Sequence, residues 1–314
     1  MPTESSISLT PLFLFFAFAF GCIVGSFLNV VVWRLPRGES LSHPPSHCPN
    51  CGHAIRAWEN VPILSWLALR GRCSACSQRI SWRYPLGEFS LGLLYAALAW
   101  NVWRNQLPLA LLPGFFWLTA SLLAAAQIDL KHRIIPDKLN YAGMLVALLL
   151  SLLLPGSRLL SQELPPSMRA GIITDAALDW LAALCAKTSP WNWRFEALLD
   201  LLLGLLLAAA CLLIFHSLGK LLLRFRAESR QAIGLGDVKC IAMIGAFLGA
   251  DAGIYILLGA ASLGFVAGTV QILWSRKKTG FFSELPFAPF LALPTIFWLI
   301  KGNWLYFVYQ AIMK

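Results

Sequence analysis

The run PLFLFFAFAFGCIVGSFLNVVVW, residues 11–33, carries no charged side chain and decides what kind of protein this is. A helix needs about 20 consecutive apolar residues to cross the hydrocarbon core of a bilayer, and this run has that length. Two more runs repeat the signal, YAGMLVALLLSLLLP (141–155) and ALLDLLLGLLLAAACLLIFHSLG (197–219). Of the 314 residues, 58% are hydrophobic and only 13% charged, about half the charged share of a soluble domain. The fold class read from this is an all-α polytopic membrane protein. Run length places about eight transmembrane helices, near residues 11–33, 87–103, 108–128, 139–155, 197–223, 237–250, 253–274 and 287–309. The first run is expected to be a retained helix. The residues before Pro11 include Glu4 but no Lys or Arg, and the run is longer than the apolar region of a secretory signal.

Lys and Arg collect in cytoplasmic loops, so their distribution sets the orientation. With the N-terminus outside, the inside loops hold 18 of the 25 basic residues, among them Arg34, Arg56, Arg70, Arg83, Lys131, Arg133, Lys239 and Lys277. The opposite orientation reverses that bias. The net charge of +10 is then a consequence of topology. It points to anionic lipid headgroups and requires no nucleic acid.

The longest polar stretch between two spans, residues 34–87, contains CPNC (48–51) and CSAC (73–76). Each C-x2-C turn presents two thiolates, and two such turns can close a tetrahedral sulfur site. Cys48, Cys51, Cys73 and Cys76 are therefore candidate metal ligands, with Gly52 and Ser77 as the small residue after each pair. A redox pair or two disulfides are the alternatives. The charge rule places the insert in a reducing compartment, where stable disulfides are rare. Four thiolates leave no open coordination position, so the expected metal is structural, zinc first and iron as the other ion that takes four thiolates. The insert has few large apolar residues, so metal binding would supply much of its folding energy. The piece ENVPILSWLALRGRC (59–73), with Trp58 and Trp82 nearby, reads as amphipathic and lying on the membrane rather than as a base-reading surface. Cys22, Cys185, Cys211 and Cys240 are isolated, and those in apolar runs are expected to pack as small hydrophobes.

Acids are scarce. Those within or beside the spans are Glu88, Asp129, Asp137, Asp200, Asp237 and Asp251. Asp129 closes one span in FFWLTASLLAAAQID and Asp237 opens another in GLGDVKCIAMIGAFLG (234–249). Both fall at the same membrane face, so they can meet across a helix interface. Two carboxylates brought close share a proton, hold a water and can hydrolyse a peptide bond. Gly234 and Gly236 clear side chains from beside Asp237, for a neighbouring helix or an extended substrate strand. Plainer readings exist for each: Asp237 as a helix N-terminal acceptor, Asp129 as an interfacial acid, Asp137 after Pro136 as a helix start. Membrane-edge acids also serve transporters and channels, which leaves a membrane transporter with a zinc-bound cytoplasmic cap as the rival reading. Such proteins often carry inverted repeats, and none is evident here. A membrane-anchored zinc scaffold is a third.

Five segments together resemble the prepilin peptidases, the type IV leader peptidases of the bifunctional prepilin peptidase/N-methyltransferase family. They are GCIVGSFLNVVVWRLPRG (21–38), CPNCGHAIRAWENVPILSWLALRGRCSACSQRISWRYPLGE (48–88), QIDLKHRIIPDKL (127–139), GLGDVKCIAMIGAFLG (234–249) and LPFAPFLAL (285–293). The resemblance implies that Asp129 and Asp237 are the catalytic pair of an intramembrane aspartyl endopeptidase. It implies that the four cysteines form the cytoplasmic metal site. It also implies cleavage of type IV prepilin or pseudopilin leaders after glycine at the cytoplasmic face of the bacterial inner membrane. N-methylation of the new terminus with S-adenosylmethionine is implied by the resemblance alone. Ser26, Asn29, Arg34 and Glu88 match the family's polar positions. The expected domains are a first transmembrane helix (1–33), the cytoplasmic four-cysteine metal-binding insert, zinc-ribbon-like (34–87), and a transmembrane aspartyl protease core (88–314). Two departures stand out. The outside segment 156–196 is longer than usual, with an amphipathic helix expected near Thr174–Lys187, and Gly87 stands where a larger apolar residue is more usual.

Overall fold

The computed structural model describes residues 4–154, 198, 201–210, 212–214, 217, 234–274 and 286–301. The expected outside segment at 156–196, with its amphipathic helix, lies outside the described residues, as do Cys185 and Cys211. The chain divides into two compact units, Met1–Gln106 and Leu107–Lys314. Among the described residues the secondary structure is helical, with two isolated β-bridges and no strand.

The first unit contains α1 (Glu4–Arg34), the short α2 (Leu64–Ala68) and α3 (Arg83–Arg104). Its backbone pairing follows from glycine. A Cβ on Gly21 would meet the Gly92 Cα at 2.8 Å, and one on Gly25 would meet the Glu88 Cα at 2.8 Å. Positions 21 and 25 lie one turn apart, as do 88 and 92, so a glycine stripe on α1 faces the backbone of Glu88 and Gly92 on α3. Lipid gives helices no hydrophobic reason to associate, and close backbone packing through small residues supplies one. Phe18 and Cys22 fill the space beside Gly92. Cys22 is buried and free, as expected of a packing residue.

The second unit contains α4 (Leu112–His132), α5 (Asp137–Leu153), α6 (residues 201–210 and 212–214), α7 (Leu235–Leu248), α8 (Ala250–Trp274) and α9 (Ala288–Lys301). Helices α4 and α9 pack together, α5 packs on α7, and α8 touches both α7 and α9. The core runs along α4 through Leu118, Leu122, Ala124, Ala125 and Ile128, and along α7 through Ile241, Met243 and Ile244. Small residues set the spacing again. Gly143 leaves room for the Met243 thioether, and Gly204 and Gly245 place the α6 and α7 backbones in direct contact, with Ala208 beside Gly245.

Among the described residues, three stretches are long and apolar enough to cross a membrane: Leu9–Arg37, Leu109–His132 and Ala252–Gln271. Helices also stand at the other expected spans within the described residues. They are shorter, such as the 14-residue α7, or more polar, such as α3 with Arg83, Glu88, Asn101 and Arg104.

The α6–α7 contact yields a test. Gly245→Ala places a methyl group against the Gly204 backbone, which cannot move as a side-chain end can. It should destabilise the detergent-solubilised protein by about 1–3 kcal/mol, as overpacking does. Gly264→Ala, whose nearest neighbour would be Phe290 at 3.9 Å, should leave the thermal midpoint unchanged.

Candidate functional site

The cysteine insert folds as two copies of one knuckle. In the first, the Gly52 N–H donates to the Cys48 carbonyl at 2.9 Å and the Cys48 N–H to the His53 carbonyl at 2.9 Å. In the second, the Ser77 N–H donates to Cys73 at 3.0 Å and the Cys73 N–H to Gln78 at 2.8 Å. Each turn needs a left-handed residue after its second cysteine, and Gly52 (φ 71°) and Ser77 (φ 56°) supply it. The bridges His47–Ala54 and Arg72–Arg79 close the two turns.

The four sulfurs lie within 4.8 Å of one another. Cys48 Sγ and Cys76 Sγ are 3.8 Å apart, close to the ~3.8 Å edge of a tetrahedron with metal–sulfur bonds of about 2.3 Å. All four thiols are free. Donor set, spacing and separation thus fit a four-thiolate metal, as the sequence suggested.

Around the cluster, the Ser74 hydroxyl and the Arg56 backbone N–H hold the Glu59 carboxyl far below the ordinary range, at about 2, with His53 contributing. Ser74 Oγ and Glu59 Oε2 each lie 3.3 Å from His53 Nε2. This network ties the first knuckle to the second. Its folded pKa is depressed, so its stabilising effect is present above the usual carboxylate range and fades as pH falls towards about 2.

In the second unit, Asp129 sits in the last turn of α4 and is 5% exposed. Its Oδ2 accepts the Ala288 backbone N–H at 2.9 Å. Ala288 is the first residue of α9, so the carboxylate meets the positive end of that helix. Arg133 closes α4 in a left-handed conformation, its N–H donating to the Asp129 carbonyl at 2.8 Å. Asp237 lies in the first turn of α7, where its Oδ2 accepts the Gly234 N–H at 3.1 Å. The plainer reading of Asp237 as a helix-start acceptor is therefore realised. The structure also brings Asp129 and Asp237 within electrostatic reach of each other.

Gly236 approaches the backbone between α4 and α5. A Cβ there would stand 3.2 Å from the Ile135 Cβ and 3.5 Å from its carbonyl oxygen. Gly234 has ordinary extended backbone and only loose neighbours, so it leaves space beside Asp237 without being sterically required. Asp137 begins α5, as expected, and also pairs with Lys239 Nζ at 2.7 Å. The same ammonium lies 5.2 Å from the Tyr141 ring. Buried Asn140 reaches towards the Gly236 carbonyl at 3.5 Å. Asp137, Asn140 and Tyr141 lie on one face of α5 and address the turn that carries Asp237. Sequence reading missed Lys239 and the Ala288 N–H. Lys239 was visible two residues beyond Asp237, whereas a backbone donor has no residue signature.

The metal site makes one prediction. Elemental analysis of the purified full chain should find one thiophilic ion per molecule. Its removal by a chelator, or Cys48→Ser, should greatly speed amide exchange over residues 46–80 and leave the helical interior of α3 protected. Unchanged exchange after metal removal would contradict a structural metal.

Comparison with known proteins follows this division. The family described as Bacterial Peptidase A24 N-terminal domain matches residues 19–102, which include all four cysteines. A "Prepilin leader peptidase/N-methyltransferase" of Stutzerimonas stutzeri is 32% identical, over 96% of this chain and 95% of its own. One of the same name from Pseudomonas putida is 32% identical over 94% and 92%. An Escherichia coli "Type 4 prepilin-like proteins leader peptide-processing enzyme" is 30% identical over 87% and 88%. No solved structure gives a significant match. Similarity of this strength runs through both units, from the glycine-paired hairpin to the aspartate turns. This membrane protein therefore belongs to the prepilin leader peptidase/N-methyltransferase family.

Proposed function

We propose that the chain is an aspartyl endopeptidase that cleaves the leader of type IV prepilin or pseudopilin precursors after glycine. The observation that carries this reading is the electrostatic proximity of Asp129 and Asp237, which are 108 positions apart in the chain and stand at the ends of different helices, the first buried and the second half-buried. A bilayer protein has strong physical reasons to avoid two such acids in one place, and peptide hydrolysis is a use that needs both.

The chemistry follows from the pair. Two adjacent carboxyl groups in a poorly solvated site retain one proton between them. Backbone N–H groups of Ala288 and Gly234 fix one oxygen of each carboxylate. The remaining acceptor capacity addresses a single water. The ionised carboxylate takes a proton from this water as it attacks the scissile carbonyl, while the protonated carboxyl donates to the carbonyl oxygen. Collapse of the tetrahedral intermediate, with a proton passed to nitrogen, releases the amine of the mature pilin. Hydrogen bonding to backbone N–H groups keeps both acids in place.

We place the N-terminus outside, with the cysteine insert and both aspartates at the cytoplasmic face of the inner membrane and about eight spans in total. The division into residues 1–33, 34–87 and 88–314 accompanies that topology. Cys48, Cys51, Cys73 and Cys76 would hold zinc, which there supplies folding energy and no reacting group. The relatives' names support a second step, N-methylation of the new terminus, for which we propose S-adenosylmethionine as donor.

Purified protein in lipid nanodiscs should cut a prepilin at one bond. Asp129→Asn and Asp237→Asn preserve shape and hydrogen-bond acceptors. Each should lower kcat by at least about 100-fold, as loss of a general acid or base does, with helical content retained by circular dichroism. Full cleavage by either variant would exclude the dyad. Failure of the wild-type protein to cut any prepilin or pseudopilin offered would favour transport or scaffolding.

A further inference from the structure

Residues 58–67 of the insert carry an apolar ridge that neither the metal site nor the proposed hydrolysis uses. Trp58, Val61, Leu64 and Leu67 recur every third position and are 65%, 40%, 65% and 58% exposed. Trp66, between them, turns inward, and its indole N–H donates to the Ile80 carbonyl at 3.1 Å. The segment therefore has a distinct inner and outer side, and the outer side is the apolar one. An aqueous loop has no reason to present such a row.

The ridge is anchored by a strained turn. Ile63 has φ 62° and ψ −52°, a region that a β-branched residue strongly avoids. The Leu64 N–H bonds back to the Pro62 carbonyl at 2.6 Å, which makes this a γ-turn. The Ile63 N–H points away from the turn and donates to the Glu88 Oε2 at 2.7 Å. Glu88 is 8% exposed. Strain of this kind persists only where the surroundings over-determine it, and here a buried carboxylate does so.

Two helical rulers give the depth of that bond. Exposed Trp33 ends α1, and exposed Trp82 and Tyr84 stand at the start of α3. Trp and Tyr in such places mark the membrane–water belt. Glu88 lies six residues past Trp82, about 9 Å along the α3 axis. Gly25, which abuts the Glu88 Cα, lies eight residues before Trp33, about 12 Å along α1. Both place the Glu88–Ile63 bond on the apolar side of the belt. At that depth a free backbone N–H is costly, which gives the carboxylate its task. Arg56, Arg70, Arg79 and Arg83 are exposed around the same segment, and Arg56 lies 5.2 Å from the Trp58 ring. Their charge complements anionic headgroups.

We propose that Trp58, Val61, Leu64 and Leu67 form a ridge seated in the headgroup–acyl boundary of an anionic bilayer, held there by the Glu88–Ile63 hydrogen bond. Residues of this kind sink about 5–10 Å into the boundary. Glu88 is thus a positioning residue for the insert.

The test uses the full chain in nanodiscs that contain phosphatidylglycerol. The difference in emission between wild type and Trp58→Phe isolates Trp58, an exposed position where Phe is tolerated. Trp58 should be quenched strongly by lipids brominated near the carbonyl end of the acyl chain, weakly by those brominated near its tip, and hardly by aqueous acrylamide. Quenching by acrylamide instead would overturn the proposal, since the ridge would then face water. Shielding from both quenchers would also overturn it, since protein would then cover the ridge. Glu88→Gln can still accept the Ile63 N–H and should preserve the lipid quenching. Glu88→Leu cannot, and should shift Trp58 towards acrylamide, in excess over any loss of fold seen by circular dichroism. Identical quenching in both Glu88 variants would remove Glu88 from the account.

Discussion

A carboxylate can stand at the end of an apolar helix only if something nearby rewards its charge. For Asp129 that partner is the N-terminus of α9, whose Ala288 N–H meets Oδ2 at 2.9 Å. The contact solves two problems at once. The first N–H groups of a helix have no partner within it, and a buried acid has no water to solvate it. Each group satisfies the other. Asp237 uses a related device at the start of α7, accepting the N–H of Gly234, the residue just before the helix. Because both acids are held by backbone dipoles, their placement depends on helix geometry. The helix ends therefore determine where the two carboxylates sit.

That geometry depends in turn on how closely the helices approach. In the second unit, Gly236 lets the start of α7 lie against Ile135, Gly143 admits Met243, and Gly204 and Gly245 bring two backbones together. Larger side chains at these points would move α7 and carry Asp237 with it. The α5 face of Asp137, Asn140 and Tyr141 steadies the same turn from the other side. The Asp137–Lys239 pair is partly exposed, and an exposed pair contributes little energy alone. Its place is beside the buried Asn140, which reaches towards the Gly236 carbonyl of the same turn.

The sequence revealed these features unevenly. The four cysteines were legible because a knuckle is local: two residues between thiols and a left-handed residue after them specify the turn. The acids were legible because charge is conspicuous in an apolar chain. Their partners were not, since the Ala288 and Gly234 donors are peptide N–H groups common to nearly every residue. The stretch 59–73 read as one amphipathic piece, yet only Leu64–Ala68 is α-helical. Tertiary demands prevailed there: the Ile63 turn bonded to Glu88 precedes the helix, and the second knuckle begins soon after it. Helix α3 was legible as a helix by position, but its polar residues keep it from standing out as a membrane span; among them, Glu88 serves the insert.

The hairpin of α1 and α3 has a consequence for how the insert comes to be folded. Gly21 and Gly25 of α1 hold that helix against α3, so the helix pair itself brings the two ends of the insert together. Closing a chain whose ends are already pinned costs less entropy than closing a free one. An ion held by the four cysteines would then have only to join two turns, and the affinity needed from it would be lower than a detached peptide of the same sequence would demand. Loss of the helix pairing would in this way weaken the cysteine cluster without touching a single ligand.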